Sequence, residues 1–347
     1  MNARRLVVAV AAFGALLVGS GSTAFADPAG PTDYRSEVVS VDPPLETISV
    51  QVIGGDSFVE LEVAPGSDAV VIGYQGEDYL WFRPDGAVLE NRNAPTTYTN
   101  QDRYGGGEIP PAATAVAEPA WEEVATGHRY AWHDHRAHWM QQSPPLGLGP
   151  GDQILEANIP LVVDGREVDV AVISTWVASP SVVPLVVGVV LGALAAVGLW
   201  LLGRRPPSPE HPGEVAVARV VVVLPVVLAA VVAGWWQYWS LPSETGPKLT
   251  WWLLPSIAAV CLLVALIADL VERPFVAQGA MLLVGVELLV WGLVKRDGLG
   301  AALIPTDAPG WFDRSATTAA LVGGAGIAAV TLVLLFATPR NVRPASR

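Results

Sequence analysis

Residues 168–202, VDVAVISTWVASPSVVPLVVGVVLGALAAVGLWLL, decide the fold. Val168–Val177 is β-branched and partly alternating, as a strand with one buried face is. Ala178-Ser179-Pro180 then breaks it. From Val182 to Leu202 the chain is apolar over the ~20 residues that a helix needs to cross a bilayer core. A strand-forming domain thus passes into a membrane helix through a three-residue tether, which holds that domain close to the bilayer.

Composition divides at the same place. Residues 27–178 are polar, acidic and rich in Gly and Pro, and everything after Ser181 is mostly Val, Leu, Ala and Gly. Four further apolar stretches follow the first span, at about 217–236, 249–270, 275–294 and 317–337. In lipid only helices satisfy the backbone with this pattern. The expected architecture is an all-β secreted domain, an Ig-like sandwich over 27–178, followed by an α-helical membrane bundle of five spans over 179–338 and a tail at 339–347. Gly188, Gly192 and Ala196 repeat at four-residue spacing, and Ala320 and Gly324 do the same in the last span, so both helices carry a small face suited to close packing.

Upstream, Arg4 and Arg5 precede an apolar run, Leu6–Val18, and Ala24-Phe25-Ala26 ends it. This predicts a signal peptide over 1–26. Residue 27 would then lie outside the cell. Arg204 and Arg205, Arg273, and Arg340, Arg343 and Arg347 would lie inside, in keeping with the positive-inside rule. Lys295, Arg296 and Arg314 fall on the other side. The protein is expected in the cell membrane as a multi-pass chain, with its N-terminal domain extracytoplasmic and its C-terminus cytoplasmic. Trp235, Trp236, Tyr238, Trp239, Trp251, Trp252, Trp291 and Trp311 map near the outer interface, where amphipathic rings prefer to sit.

Within the secreted part, strands are predicted at Glu37–Val41, Thr47–Ile53, Phe58–Val63, Ala69–Tyr74, Tyr79–Phe82, Ala87–Glu90, Ile159–Val163 and Val168–Val177. Arg83-Pro84-Asp85-Gly86 and Val163-Asp164-Gly165-Arg166 read as hairpin tips. Ala113–Ala125 is expected to be a loop or one short helix. The single cysteine, Cys261, lies in an apolar run, so the secreted part has no disulfide and no thiolate site. It also has no lysine, and its seven arginines are outnumbered by Asp and Glu, which excludes nucleic acid as a partner. The expected partners are the lipid bilayer and another envelope protein or a metal chaperone.

Chemistry concentrates in one place. Four of the five histidines, His128, His133, His135 and His138, fall in GHRYAWHDHRAHWM. Were Tyr130–Met140 extended, His133 and His135 would share a face and His138 would leave it. Were it helical, His135 and His138 would share a face instead. Imidazole suits copper and zinc, and the Met140 thioether would favour copper. The plainer reading is a set of buried histidines, with Asp134 and Arg136 in ion pairs. Asn91–Gly107, carrying Asn100, Asp102 and Arg103, reads as a plain Asn/Asp turn or as a loop that could meet a ligand or the histidine strand, with Asp134 and Arg136 joining it as ligand or partner residues. In the fourth span Glu287 is a costly intramembrane carboxylate, a proton site or half of an ion pair. Asp269 is expected to pair with Arg273. There is no phosphate loop, zinc-protease, serine-hydrolase or C-x-x-C motif, and no nucleophile beside a base, so catalysis is not expected.

Tyr79-Leu80-Trp81-Phe82, Asn91-Arg92, Pro95-Thr96-Thr97-Tyr98, Asn100–Tyr104 and the tract Trp132–Met140 are together similar to a group of uncharacterised bacterial membrane proteins. The resemblance implies a signal peptide, a secreted β-domain and a few C-terminal spans, and no particular activity. A looser likeness is to secreted copper-resistance β-sandwich proteins. Those use a histidine at the mature N-terminus, whereas this chain would begin Asp27-Pro28-Ala29, so copper would rest on the internal cluster alone. Three functions stay open: a membrane-anchored binding or assembly module, copper or zinc handling through the histidines, and transport through the bundle using Glu287.

Overall fold

A computed structural model describes residues 28–141, 143–205 and 213–337. The expected signal peptide, the C-terminal tail with its three arginines, and His211 lie outside the described residues. The N-terminal part is an antiparallel β-domain of ten strands. They are β1 Tyr34–Asp42, β2 Ile48–Ile53, β3 Phe58–Val63, β4 Ala69–Ile72, β5 Asp78–Phe82, β6 Val88–Asn91, β7 Trp121–Ala125, β8 Arg129–Trp132, β9 Gln153–Val163 and β10 Arg166–Trp176. One sheet of seven runs β1-β10-β9-β4-β5-β6-β7 and one of three runs β2-β3-β8.

Alternation drives the sandwich. Val59, Leu61 and Val63 of β3, and Trp132 of β8, meet Val71, Leu80, Phe82, Ile159, Leu161, Val170 and Val172 of the larger sheet in one buried cluster. Each such side chain contributes about 1.5–3 kcal/mol by leaving water. Asp164 and Gly165 both have positive φ, 49° and 76°, as a two-residue hairpin between β9 and β10 requires.

Two expectations are corrected. Residues 121–125, placed in a loop or helix, form β7. Glu and Ala are poor strand formers, but pairing with β6 overrides local preference. Arg92 supports that pairing by bridging Glu90 and Glu122. Within 91–107, Pro95–Thr99 forms a short helix, α1, led by proline.

The sandwich is closed on one side only. There β1 lies beside β2, and the Ser36 amide donates to the Gly55 carbonyl at 3.0 Å. On the other side β7 and β8 each end their sheet, and they flank a cavity of about 720 Å³ that Ser243 and Glu244 close from below.

Five helices are long and apolar enough to cross a membrane, making this a multi-pass chain. They are α2 Val183–Gly203, α3 Glu214–Trp239, α4 Thr250–Leu270, α5 Pro274–Val294 and α6 Gly310–Ala337. The small face of α2 packs on α6, whereas Gly324 of the α6 small face packs on Gly285 and Leu289 of α5. A Cβ on Gly188 would lie 2.5 Å from the Ser315 carbonyl, and one on Gly285 2.6 Å from the Ala328 amide. Thus α6 is gripped by α2 on one side and α5 on the other.

Asp269 pairs with Arg219 of α3 at 3.1 Å, not with Arg273. A neighbouring helix offers a guanidinium where an i+4 partner on a helix end competes with water. Lys295 is buried against Asp313, and Arg314 donates to the carbonyls of Ala301 and Ala302 at 2.6 and 2.9 Å. These two cations hold the α5–α6 loop together.

The two parts dock. Thr32 and Leu303 exchange backbone hydrogen bonds of 3.1 and 2.8 Å, and the Ala302 amide donates to Asp33 Oδ1 at 2.8 Å. Ala29, Phe58 and Ala131 pack with Leu241 and Trp251 of the α3–α4 hairpin.

Candidate metal centre

Strand β8 stops at Trp132, so the extended reading of Tyr130–Met140 is corrected. Asp134 ends it. Its side chain accepts from the Arg136 backbone amide at 3.0 Å and caps a 3-10 turn over His135–Ala137, after which His138 is extended again. The chain thereby doubles back. His133 at the strand end, His135 in the turn and His138 beyond it converge, a placement that neither strand nor helix periodicity allows.

One ring nitrogen from each of the three lies within 4.8 Å of the others. Ring centroids are 4.5 Å apart for His133–His138, 5.3 Å for His135–His138 and 5.7 Å for His133–His135. Each ring has one nitrogen at a backbone carbonyl. His133 Nδ1 lies 2.5 Å from Ser57 O, His138 Nδ1 3.1 Å from Trp139 O, and His135 Nε2 2.8 Å from Asp102 O. A carbonyl oxygen can only accept, so each of those nitrogens carries the proton. The lone pairs are therefore left on His133 Nε2, His138 Nε2 and His135 Nδ1. Those of His133 and His138 are buried with no hydrogen-bond partner.

Burial holds the rings neutral. It pushes His133 down to about 4 against the opposing hydrogen bond to Ser57, and His138 down to about 2 with help from His133 and Arg103. His135 is also lowered, first by burial. Unfolded, an imidazole titrates at 6.5. Falling pH therefore protonates the unfolded chain first. The metal-free β-domain carries no such penalty above pH 6.5 and loses stability as pH falls from there toward 4. At about pH 5 His133 alone costs about 2 kcal/mol. Denaturant unfolding of metal-free protein followed by tryptophan fluorescence checks this. Equal stability at pH 5 and 7.5 would contradict it.

Around the rings sits a shell that sequence reasoning missed in part. Asp134 Oδ2 accepts from Trp132 Nε1 at 2.9 Å and Arg136 NH2 at 2.8 Å, and Oδ1 from Arg136 Nε at 2.9 Å. Burial works to raise the Asp134 carboxyl, but the Arg136 guanidinium and these hydrogen bonds outweigh it and hold it low. The Tyr74 hydroxyl accepts from the His135 amide at 2.8 Å and donates to Asn100 Oδ1. Arg103 pairs with Asp56 at 2.6 Å, which pins the 100–107 loop beside the rings.

Asn100, Asp102, Arg103, Asp134 and Arg136, expected at a ligand or partner loop, lie around the histidine segment, and the Asp102 carbonyl meets His135 itself. Asn100 and Asp134 are buried. The Asp134-x-Arg136 spacing was the one local signal for this shell; Tyr74, Asp56 and the carbonyls carry none.

Two expected ligands fall differently. His128 is not in the cluster: it occupies the β7–β8 turn at φ 65°, its ring against Gly86. Met140 does lie beside it. A Cβ on Gly105 would sit 3.7 Å from both His135 Cε1 and Met140 Cε. Glu287 is far from this chemistry along the chain, buried near the middle of α5. No protein-family profile, curated protein or solved structure matches this chain.

Proposed function

We propose that this chain is a membrane-anchored protein whose β-domain stands on the extracytoplasmic side and binds a copper or zinc ion through His133, His135 and His138. One observation carries the reading. Three imidazoles, each with one nitrogen held by a backbone carbonyl, offer ring nitrogens within 4.8 Å of one another. Metal-ligating histidines are held in this manner, the second nitrogen donating to a carbonyl or carboxylate. Two buried lone pairs without donors are costly unless something accepts them. A cation does so. Nitrogens on one ion at about 2.0–2.1 Å stand no more than about 4.2 Å apart, so an ion would draw the widest pair slightly together.

The sidedness rests on Arg204, Arg205 and Arg273, which lie at the helix ends away from the β-domain. The helix ends nearest the domain carry the tryptophans other than Trp200, which lies under Arg204 at the opposite end. Non-metal docking by the 100–107 loop would rest on Gln101 and Tyr104, since Asn100 is buried and Arg103 is paired with Asp56.

The test is equilibrium titration of the full-length protein in nanodiscs with Cu(II) and Zn(II). The wild type should bind one ion per chain. His133→Ala and His138→Ala should each weaken binding about 100-fold or more, since a tridentate site loses a ligand and gains a cavity. Unchanged affinity in the double variant would overturn the assignment.

A further inference from the structure

Resting on the tri-histidine reading, we propose that the resident ion is monovalent copper, Cu(I), with the Met140 thioether as a fourth, soft donor. The argument concerns charge. All three imidazoles are neutral donors, and among the described residues no carboxylate joins them.

The nearby acids are each committed elsewhere. Asp134 is held by Arg136 and Trp132. The Asp102 side chain accepts from the Tyr104 amide at 2.7 Å, and Asp56 is paired with Arg103. Arg103 acts on all three rings in the sense that disfavours added positive charge, opposed by Asp134 at His133 and by Asp134 and Asp102 at His135.

Burial makes that charge expensive. His133 and His138 are 3% and 1% exposed, and their free nitrogens are out of contact with solvent. The cost of moving an ion from water into a low-dielectric site rises with the square of its charge, so a divalent ion costs about four times as much as a monovalent one. Zinc sites built on three histidines keep an open position for water or hydroxide, whose charge offsets the metal's. Here the free nitrogens of His133 and His138 are shut off from water. A soft d¹⁰ ion tolerates a low coordination number and neutral nitrogen and thioether donors. Met140 is half-buried, with its Cε and His135 Cε1 each 3.7 Å from where a Cβ on Gly105 would sit, and in this proposal the flexible side chain swings its sulfur to the ion.

The experiment is an anaerobic titration of the full-length protein in nanodiscs with Cu(I), using bicinchoninate as competitor, alongside Zn(II) and Cu(II). Cu(I) should bind at least ~100-fold more tightly than Zn(II). Met140→Leu, which conserves volume, should weaken Cu(I) binding about 10-fold or more and leave Zn(II) within about 3-fold. X-ray absorption of the Cu(I) form should show sulfur scattering that Met140→Leu removes. Zinc binding as tight as Cu(I), or a Met140→Leu variant with unchanged Cu(I) affinity and spectrum, overturns the inference while leaving the tri-histidine site standing. Failure of every ion to bind the wild type removes both.

Discussion

Asp134→Ala is expected to destabilise the β-domain by about 3–5 kcal/mol, the cost of leaving a buried charge without its partner. The Asp134 side chain is fully buried and that of Arg136 is 15% exposed. Removing the carboxylate strands the guanidinium, frees Trp132 Nε1 and uncaps the 3-10 turn at His135. The expected signature is a β-domain transition shifted well below that of the wild type, read by tryptophan fluorescence at neutral pH. Asp134→Ala combined with Arg136→Met should recover part of the loss, because no charge is then left unpaired. A single variant within about 1 kcal/mol of the wild type would show that Asp134 is not the hub described. Because the same turn aims His135, metal affinity should fall about 10–100-fold as well.

Gly192→Leu should disrupt the bundle more severely than an ordinary overpacked site, which costs about 1–3 kcal/mol. A Cβ there would lie 2.6 Å from the Gly323 amide nitrogen and 2.7 Å from the Ala319 carbonyl. Those atoms are α6 backbone and cannot rotate aside, so α2 must leave α6. Detergent-solubilised protein should lose its monodisperse peak or unfold at clearly lower temperature. Gly300→Ala in the α5–α6 loop is the control, since a Cβ there meets nothing within 4 Å. A Gly192→Leu variant as heat-resistant as Gly300→Ala would rule out the close α2–α6 contact.

These two cases mark where the sequence was legible. Gly188-x-x-x-Gly192 announces a close helix contact on its own, because membrane helices approach closely only where side chains are small. The spans, the Asp164-Gly165 hairpin and strand Phe58–Val63 were visible for similar reasons: period, length and turn chemistry are local properties. The histidine cluster was half visible. Four histidines in eleven residues drew attention to the segment, but His133, His135 and His138 fit no single period. Only the turn imposed by Asp134 brings them together. The groups that fix their tautomers are carbonyls of Ser57, Asp102 and Trp139, and a carbonyl leaves no trace in side-chain identity. Strand β7 was hidden because its partner, not its composition, makes it a strand. The Arg219–Asp269 pair was hidden because a contact between helices competes on equal terms with one along a helix.

The paired backbone bonds at Thr32 and Leu303, with Phe58 seated on Trp251, have a mechanical consequence. The sandwich is bolted to the helices at several points rather than leashed to them by residues 178–180. Lengthening that leash would not let it swing. Whatever the β-domain carries is kept at one standoff from the membrane, so a donor or acceptor of that cargo must travel to it.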